Sequence, residues 1–189
     1  MSAASVHHTP VSQLERVEAP GSMLTKAAAK SLAVLRIGTG FVFLWAFLDK
    51  TFGLGYSTPS AKAWINGGSP TKGFLSSVDV GPLQSAFHAM AGTWWANWLF
   101  MLGMLGVGVA LLAGVGMRIA AASGALIMAM MWLAEWPVGA TGSTNPFADY
   151  HLIYALVLVV LAAAYAGHTW GLGRLWAKLP FVQRNRWLI

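Results

Sequence analysis

The stretch WWANWLFMLGMLGVGVALLAGV, residues 94–115, determines the expected fold class. It contains no charged side chain and no alternation of apolar and polar residues, so its pattern is that of a helix rather than a strand. At 1.5 Å per residue the helix would be about 33 Å long, which matches the ~30 Å hydrocarbon core of a bilayer. We therefore predict that this segment crosses a membrane.

Three further stretches, residues 31–48, 119–136 and 151–167, are similarly apolar. Of the 189 residues, 57% are hydrophobic and 10% are charged, whereas roughly 25% are charged in soluble domains. A helix satisfies its own backbone hydrogen bonds in lipid, which an open strand cannot do. The sequence thus predicts an all-α integral membrane four-helix bundle over residues 26–173. We expect residues 1–25 to be a disordered tail and residues 174–189 a basic tail.

The distribution of basic residues predicts the orientation. An even number of spans places both termini on one side. Of the 12 Lys and Arg residues, eight then lie on that side, Arg36 lies within the first span, and Lys50, Lys62 and Lys72 lie opposite. The positive-inside rule places both termini in the cytoplasm, which predicts a multi-pass protein of the inner (cytoplasmic) membrane. The basic residues lie near the ends rather than along a stripe, which favours lipid headgroups over nucleic acid as a partner.

The segment 49–93 between the first two spans is too long for a simple spacer and too rich in apolar residues for a disordered linker. Its stretch AWINGGSPTKGFL, residues 63–75, does not have the order of glycine, lysine and hydroxyl that a phosphate-binding loop requires. The stretch GPLQSAFHAMAG places Leu83, Phe87 and Met90 on one face of a short helix. We therefore expect a long extracytoplasmic loop that caps the bundle.

Small residues recur every fourth position in the second span, at Gly106, Ala110 and Gly114. Such a stripe lets two helices approach closely in lipid. We interpret it as the surface on which the second span packs against a neighbouring helix.

Ionisable residues at the span ends are the first candidates for a functional site. Asp49 and Lys50 end the first span, Glu135 ends the third, and Asp149 and His151 open the fourth. Each is compatible with a solvated helix end. At one end of a small bundle they could instead handle the protons of a quinol or hold an anion. Arg36, inside the first span, must either extend to the headgroups or pair within the protein.

The sequence indicates no cofactor held by the chain itself. There is no cysteine, no flavin or NAD motif and no short metal-ligand spacing, so we identify no flavin or metal. His151 and His168 would lie ~25 Å apart on one helix and cannot share a haem iron. Tryptophans near span ends are typical of an interfacial belt. For the alternative role of contacting a bound quinone, the candidates are Trp64, His88 and Trp132.

The stretches LRIGTGFVFLWAFLDKTFGLGYSTP (35–59), NPFADYHLIYALVL (145–158) and AGHTWGLGRLWAKLP (166–180) resemble the DoxX/DoxD-like family of small four-span membrane proteins. The resemblance covers about residues 31–180, and its first-helix pattern falls on Arg36, Gly40, Phe43 and Lys50. A glycine that often precedes the lysine by three residues in the family is Phe47 here. The resemblance implies thiosulfate:quinone oxidoreduction together with a second, small subunit, and it implies site roles for Arg36 and Lys50.

Three functional hypotheses follow. The first is a membrane subunit of a quinone-linked oxidoreductase, with quinone as substrate and a small membrane or soluble redox subunit as partner. The second is a non-catalytic anchor or assembly partner for a soluble redox protein, since the sequence shows no redox centre. The third, a small-molecule carrier, is the weakest, because no repeat or broken helix is visible. The sequence does not determine the oligomeric state.

Overall fold

The computed structural model describes residues 25–138 and 145–189, so the predicted N-terminal tail lies outside the described residues. These residues form helices and turns without a strand; one isolated bridge joins Leu54 and Pro59. The predicted all-α class is confirmed. The helices are α1 (Lys26–Phe52), α2 (Lys72–Ser76), α3 (Gln84–Met90), α4 (Trp94–Ala113), α5 (Met117–Glu135), α6 (Tyr150–Ala163), α7 (Gly173–Trp176) and α8 (Pro180–Arg184), with 3-10 turns at Ser60–Lys62, Trp64–Asn66, Ala166–His168 and Arg186–Leu188.

Three of these helices, α1, α4 and α5, are long and apolar enough to cross a membrane. Helix α4 and helix α5 match their predicted spans to within two residues. Helix α1 extends further than predicted at both ends. It begins where the Thr25 hydroxyl accepts a hydrogen bond from the Ala28 amide, 3.1 Å away, and it ends at Gly53, whose φ of 66° favours glycine.

The fourth predicted span, 151–167, contains a shorter helix. Helix α6 has 14 residues and is about 21 Å long. Near its end Tyr165 adopts a φ of 51°, and the 3-10 turn Ala166–His168 follows. This turn brings Gly167 against Gly114, where a Cβ atom would overlap the Gly114 carbonyl. Close backbone contact with the end of α4 therefore replaces the last helical turn.

The long helices pack side by side: α1 contacts α4, α4 contacts α5, and α5 contacts α6, which also touches α1. We call the end with the α1 C-terminus and the α6 N-terminus the loop end, and the opposite end the tail end. An apolar core runs between the long helices. Its buried members are Phe43, Met104, Val107, Leu111, Met117, Ala120, Ala121, Met128, Leu158, Leu161, Ala162 and Ala166.

Two segments outside the long helices pack against them. At the loop end, the segment containing α2 and α3 buries Val78 and Phe87 against Ala134 of α5, so the short apolar helix predicted after Pro82 is present. At the tail end, Val182 and Leu188 are buried, and the Trp176 indole nitrogen donates to the Leu188 carbonyl at 3.0 Å. The last residues therefore fold back onto the protein.

The predicted glycine stripe does not form the contact between α4 and α1. Gly106 is exposed, and no atom lies within 4 Å of the position a Cβ would take. The close approach occurs at buried Gly108, where a Cβ would lie 2.7 Å from the Leu44 nitrogen. A shift of two residues turns a position by about 200° around the helix, so Gly106 does not face α1. Gly114 instead ends α4 with a φ of 72°.

Candidate functional site

Three of the predicted site residues meet at the loop end, where α5 ends and α6 begins. Glu135 is the last residue of α5, Asp149 caps α6, and His151 lies in the first turn of α6. Their ligating atoms all lie within 4.8 Å of one another. The His151 Nδ1 atom lies 2.8 Å from Asp149 Oδ2 and 3.6 Å from Glu135 Oε2. We call these three residues the carboxylate–histidine cluster.

The exposed fraction of the side chain differs strongly among the three residues of this cluster. The side chain of His151 is 1% exposed, that of Asp149 10% and that of Glu135 37%. Asp149 is fixed in place because its other carboxylate oxygen accepts the Leu152 amide at 3.1 Å, which is the N-cap bond of α6. The cluster therefore leads from water at Glu135 to the protein interior at His151.

The hydrogen bond to Asp149 fixes the role of each His151 nitrogen. An ionised carboxylate only accepts hydrogen bonds, so Nδ1 must carry the proton in this pair. In the neutral ring, Nε2 then carries the lone pair and faces the interior, where it is buried and has no hydrogen-bond partner among the described residues. A buried nitrogen with an unused lone pair can accept a proton or a hydrogen bond.

Tyr150 belongs to this site and was not among the predicted residues. Its hydroxyl donates to Glu135 Oε1 at 3.2 Å, and its ring lies 4.0 Å, centroid to centroid, from the His151 ring. Its position between Asp149 and His151 was the available sequence signal. Trp132, a predicted quinone-contacting residue, supports the site from the side. Its indole donates to the Phe147 carbonyl at 2.9 Å and so ties α5 to the segment before Asp149.

Two carboxylates and an imidazole nitrogen this close resemble the donor set of a divalent cation. The sequence placed these residues at one end of the bundle but showed no short metal-ligand spacing, because Glu135 comes from a different helix. However, Nδ1 and both Asp149 oxygens are already engaged in hydrogen bonds. The partial positive charge of the α6 N-terminus also disfavours a cation. These hydrogen bonds and the helix dipole disfavour a cation at the cluster.

Lys50 lies at the same end of the molecule, in a different setting. It lines a cavity of about 290 Å³ between α1, α4, α5 and the segment containing α2 and α3. Apart from Lys50 and Thr71, the walls are apolar: Pro70, Phe74, Leu75, Phe87, Met90, Trp95, Ala96, Leu99, Phe100, Leu126, Ile127, Met130 and Met131. The residues of the carboxylate–histidine cluster do not line this cavity.

Asp49, another predicted site residue, lies outside the cluster, and its side chain binds backbone amides of the turn after α1. Its buried carboxylate accepts the amides of Tyr56 and Ser57 at 3.1 and 3.0 Å and the Ser57 hydroxyl at 2.7 Å. These bonds hold the turn that follows α1.

Arg36 lies at the tail end, 14 residues and about 21 Å from Lys50 along α1. It is fully buried, so it pairs inside the protein rather than extending to the headgroups. Its guanidinium donates to four carbonyls, those of Leu111, Leu112 (2.9 Å), Thr169 (3.3 Å) and Trp170 (2.8 Å). Arg36 thus joins α1 to the end of α4 and to the segment after α6.

The two remaining candidates lie in the loop segment and make local contacts. Trp64 packs edge-on against Trp98, with ring centroids 4.7 Å apart. The His88 ring is exposed, and its Nε2 lies 2.7 Å from the Val78 carbonyl. Neither residue lines the Lys50 cavity or joins the cluster.

Residues 69–71 form the roof of the Lys50 cavity, and Asn97 holds them in place. Asn97 was not among the residues predicted from the sequence. It is buried, and its Oδ1 accepts from the Ser69 hydroxyl, the Thr71 amide and the Thr71 hydroxyl at 3.1, 3.1 and 2.7 Å. The signal was visible, since Asn97 is a polar residue inside an otherwise apolar span. It holds residues 69–71 against the start of α4.

Comparison of the chain with family models, with curated proteins and with solved structures found no match.

Proposed function

We propose that the chain is a DoxX/DoxD-like membrane protein in which α6 with the turn Ala166–His168 provides the fourth crossing. The outward side chains of α6 support this, because Ile153, Leu156, Val159 and Val160 are each at least half exposed. A row of exposed branched aliphatic residues suits lipid rather than water. In this arrangement the four helices form a bundle and the segment 53–93 caps its loop end. The excess of basic residues near the termini places the loop end outside the cytoplasm.

Within this arrangement, the proposed function is that of the membrane subunit of a quinone-linked oxidoreductase of the thiosulfate-to-tetrathionate type. The observation that carries this proposal is buried His151, held by Asp149 and next to Glu135, with a buried Nε2 that has no hydrogen-bond partner in the part of the chain that the structure describes. Reduction of a quinone consumes two electrons and two protons. Oxidation of two thiosulfates to one tetrathionate releases the two electrons and no protons, so the protons must reach the quinone from water.

The cluster is suited to deliver those protons. With both ring nitrogens protonated, His151 would donate Nδ1–H to Asp149 and hold a transferable proton on the buried Nε2. After it donates that proton to a quinone oxygen, His151 is neutral with its remaining proton on Nδ1, so a proton from water must return to Nε2 before the next transfer. Glu135, whose side chain is 37% exposed, is the contact of the cluster with water. The chain has no cysteine, so thiol chemistry does not carry the electrons, and the second subunit is the expected electron entry point.

The experiment compares membranes from source cells that lack the gene and are complemented with the wild-type chain, Asp149→Asn, His151→Gln or Asp79→Asn. Asparagine keeps the N-cap acceptor but removes the charge that orients His151. We expect thiosulfate-dependent quinone reduction to fall about 10²-fold in both cluster variants. Asp79 is exposed in the same loop segment, and its variant should retain full activity. Wild-type rates in both cluster variants would refute the proposal.

A non-catalytic anchor is the second candidate function. It is favoured by the use of Arg36 and Asp49, two predicted catalytic residues, in hydrogen bonds to backbone groups. It predicts that a soluble redox protein co-purifies equally with the wild-type chain and with His151→Gln. It also predicts that quinone reduction does not depend on the cluster.

A further inference from the structure

The Lys50 cavity combines one charge with a long apolar wall. Lys50 makes no hydrogen bond or salt bridge within the part of the chain that the structure describes, although it is only partly exposed. Asp49, its neighbour in the chain, exerts an electrostatic attraction, but the oxygens of this carboxylate are bound to Tyr56 and Ser57. A half-buried ammonium without an acceptor is unfavourable, and an anion supplied by a ligand would compensate it.

The polar and the apolar wall residues of the cavity lie at different heights along the long helices. Lys50, Pro70 and Thr71 lie at the loop end, and Leu126 and Ile127 lie eight or nine residues below the end of α5. At 1.5 Å per residue the apolar part extends about 12–13 Å from the end of α5 into the proposed membrane region. Its walls include Met90, Met130 and Met131, and methionine adapts readily to flexible apolar ligands.

The volume limits the size of the occupant. About 290 Å³ lies at the lower end of the roughly 300–1,000 Å³ that is typical of small-molecule sites. This volume suits one alkyl chain. The single charged wall residue favours an anionic head over a neutral one such as a quinone ring.

We propose that this cavity binds a single-chain carboxylate amphiphile, a long-chain fatty acid, with its carboxylate at Lys50 and its chain between α4 and α5. Asn97 contributes indirectly, because it holds Thr71 and with it the roof of the cavity. The proposal goes beyond the oxidoreductase function and does not depend on it, since the carboxylate–histidine cluster is not part of the cavity wall.

The test measures binding of cis-parinaric acid, a fluorescent single-chain carboxylate, to the full chain in phosphatidylcholine nanodiscs. Palmitate and methyl palmitate serve as competitors, because they differ in the charge of the head. Four variants are compared: Lys50→Met, Lys50→Arg, Lys62→Met and Met130→Trp. Lys62 is the matched control, since it is an exposed lysine of the same loop segment.

We expect palmitate to displace the probe and methyl palmitate to be at least tenfold weaker. Lys50→Met should weaken probe binding about tenfold, whereas Lys50→Arg and Lys62→Met should bind like the wild type. Met130→Trp should block binding by filling the cavity while leaving Lys50 in place, which tests the site even if Lys50→Met does not fold. Equal binding by Lys50→Met, equal competition by the ester, or unchanged binding by Met130→Trp would overturn the proposal. Quinone reduction is not the readout, so failure of this test is distinct from failure of the proposed function.

Discussion

Gly108→Ala should destabilise the protein, whereas Gly106→Ala in the same helix should not. A Cβ added at Gly108 would lie 2.7 Å from the Leu44 nitrogen, 2.9 Å from its Cβ and 3.0 Å from its Cα. Ordinary contacts between such atoms are about 3.5–4.0 Å. Two of the three neighbours are backbone atoms, which cannot rotate away, so α1 and α4 must separate by roughly 0.5–1 Å.

The expected change in the free energy of unfolding is the sum of two opposing contributions. Overpacking of this kind costs about 1–3 kcal/mol, and alanine regains up to about 1 kcal/mol of helix propensity over glycine. The expected net loss is about 1–2 kcal/mol, since the same separation also loosens the contact of Gly40 with Leu111. At Gly106 no atom lies within 4 Å of the new Cβ, so only the favourable propensity term remains.

The assay is thermal unfolding of both variants and the wild type in one detergent. At about 2–4 °C per kcal/mol, Gly108→Ala should lower Tm by about 2–8 °C, and Gly106→Ala should leave it unchanged or raise it slightly. A Tm for Gly108→Ala equal to that of Gly106→Ala would show that α1 and α4 do not meet at Gly108, which would refute the helix packing described above.

Two further predictions concern single polar side chains. Arg36→Ala should lower Tm by more than 5 °C, since it removes four hydrogen bonds from a charged donor at about 1.5–3 kcal/mol each, and Arg184→Ala should not. Equal, silent outcomes would contradict the structural role of Arg36. Asn97→Leu should expose the loop segment to trypsin without unfolding the helices, and unchanged cleavage would argue against its role in holding the roof.

The grouping at the loop end illustrates how far the sequence alone could predict the site. Glu135, Asp149 and His151 were placed together because each ends or begins an apolar segment at the same side. Asp49 and Lys50 met the same criterion, yet one holds a turn and the other lines a separate cavity. Position along the membrane is visible in a sequence, but position around the helix axes is not.

What the sequence determined by itself is the helical class and the approximate bounds of the long apolar helices, because hydrophobic length is a local property. The partner of each polar group was decided only by tertiary structure. Arg36 is paired with carbonyls that follow it by 75 to 134 residues, and the helix contact lies at Gly108 rather than at the regularly spaced Gly106. These outcomes depend on the rotation and separation of packed helices, which no local pattern specifies.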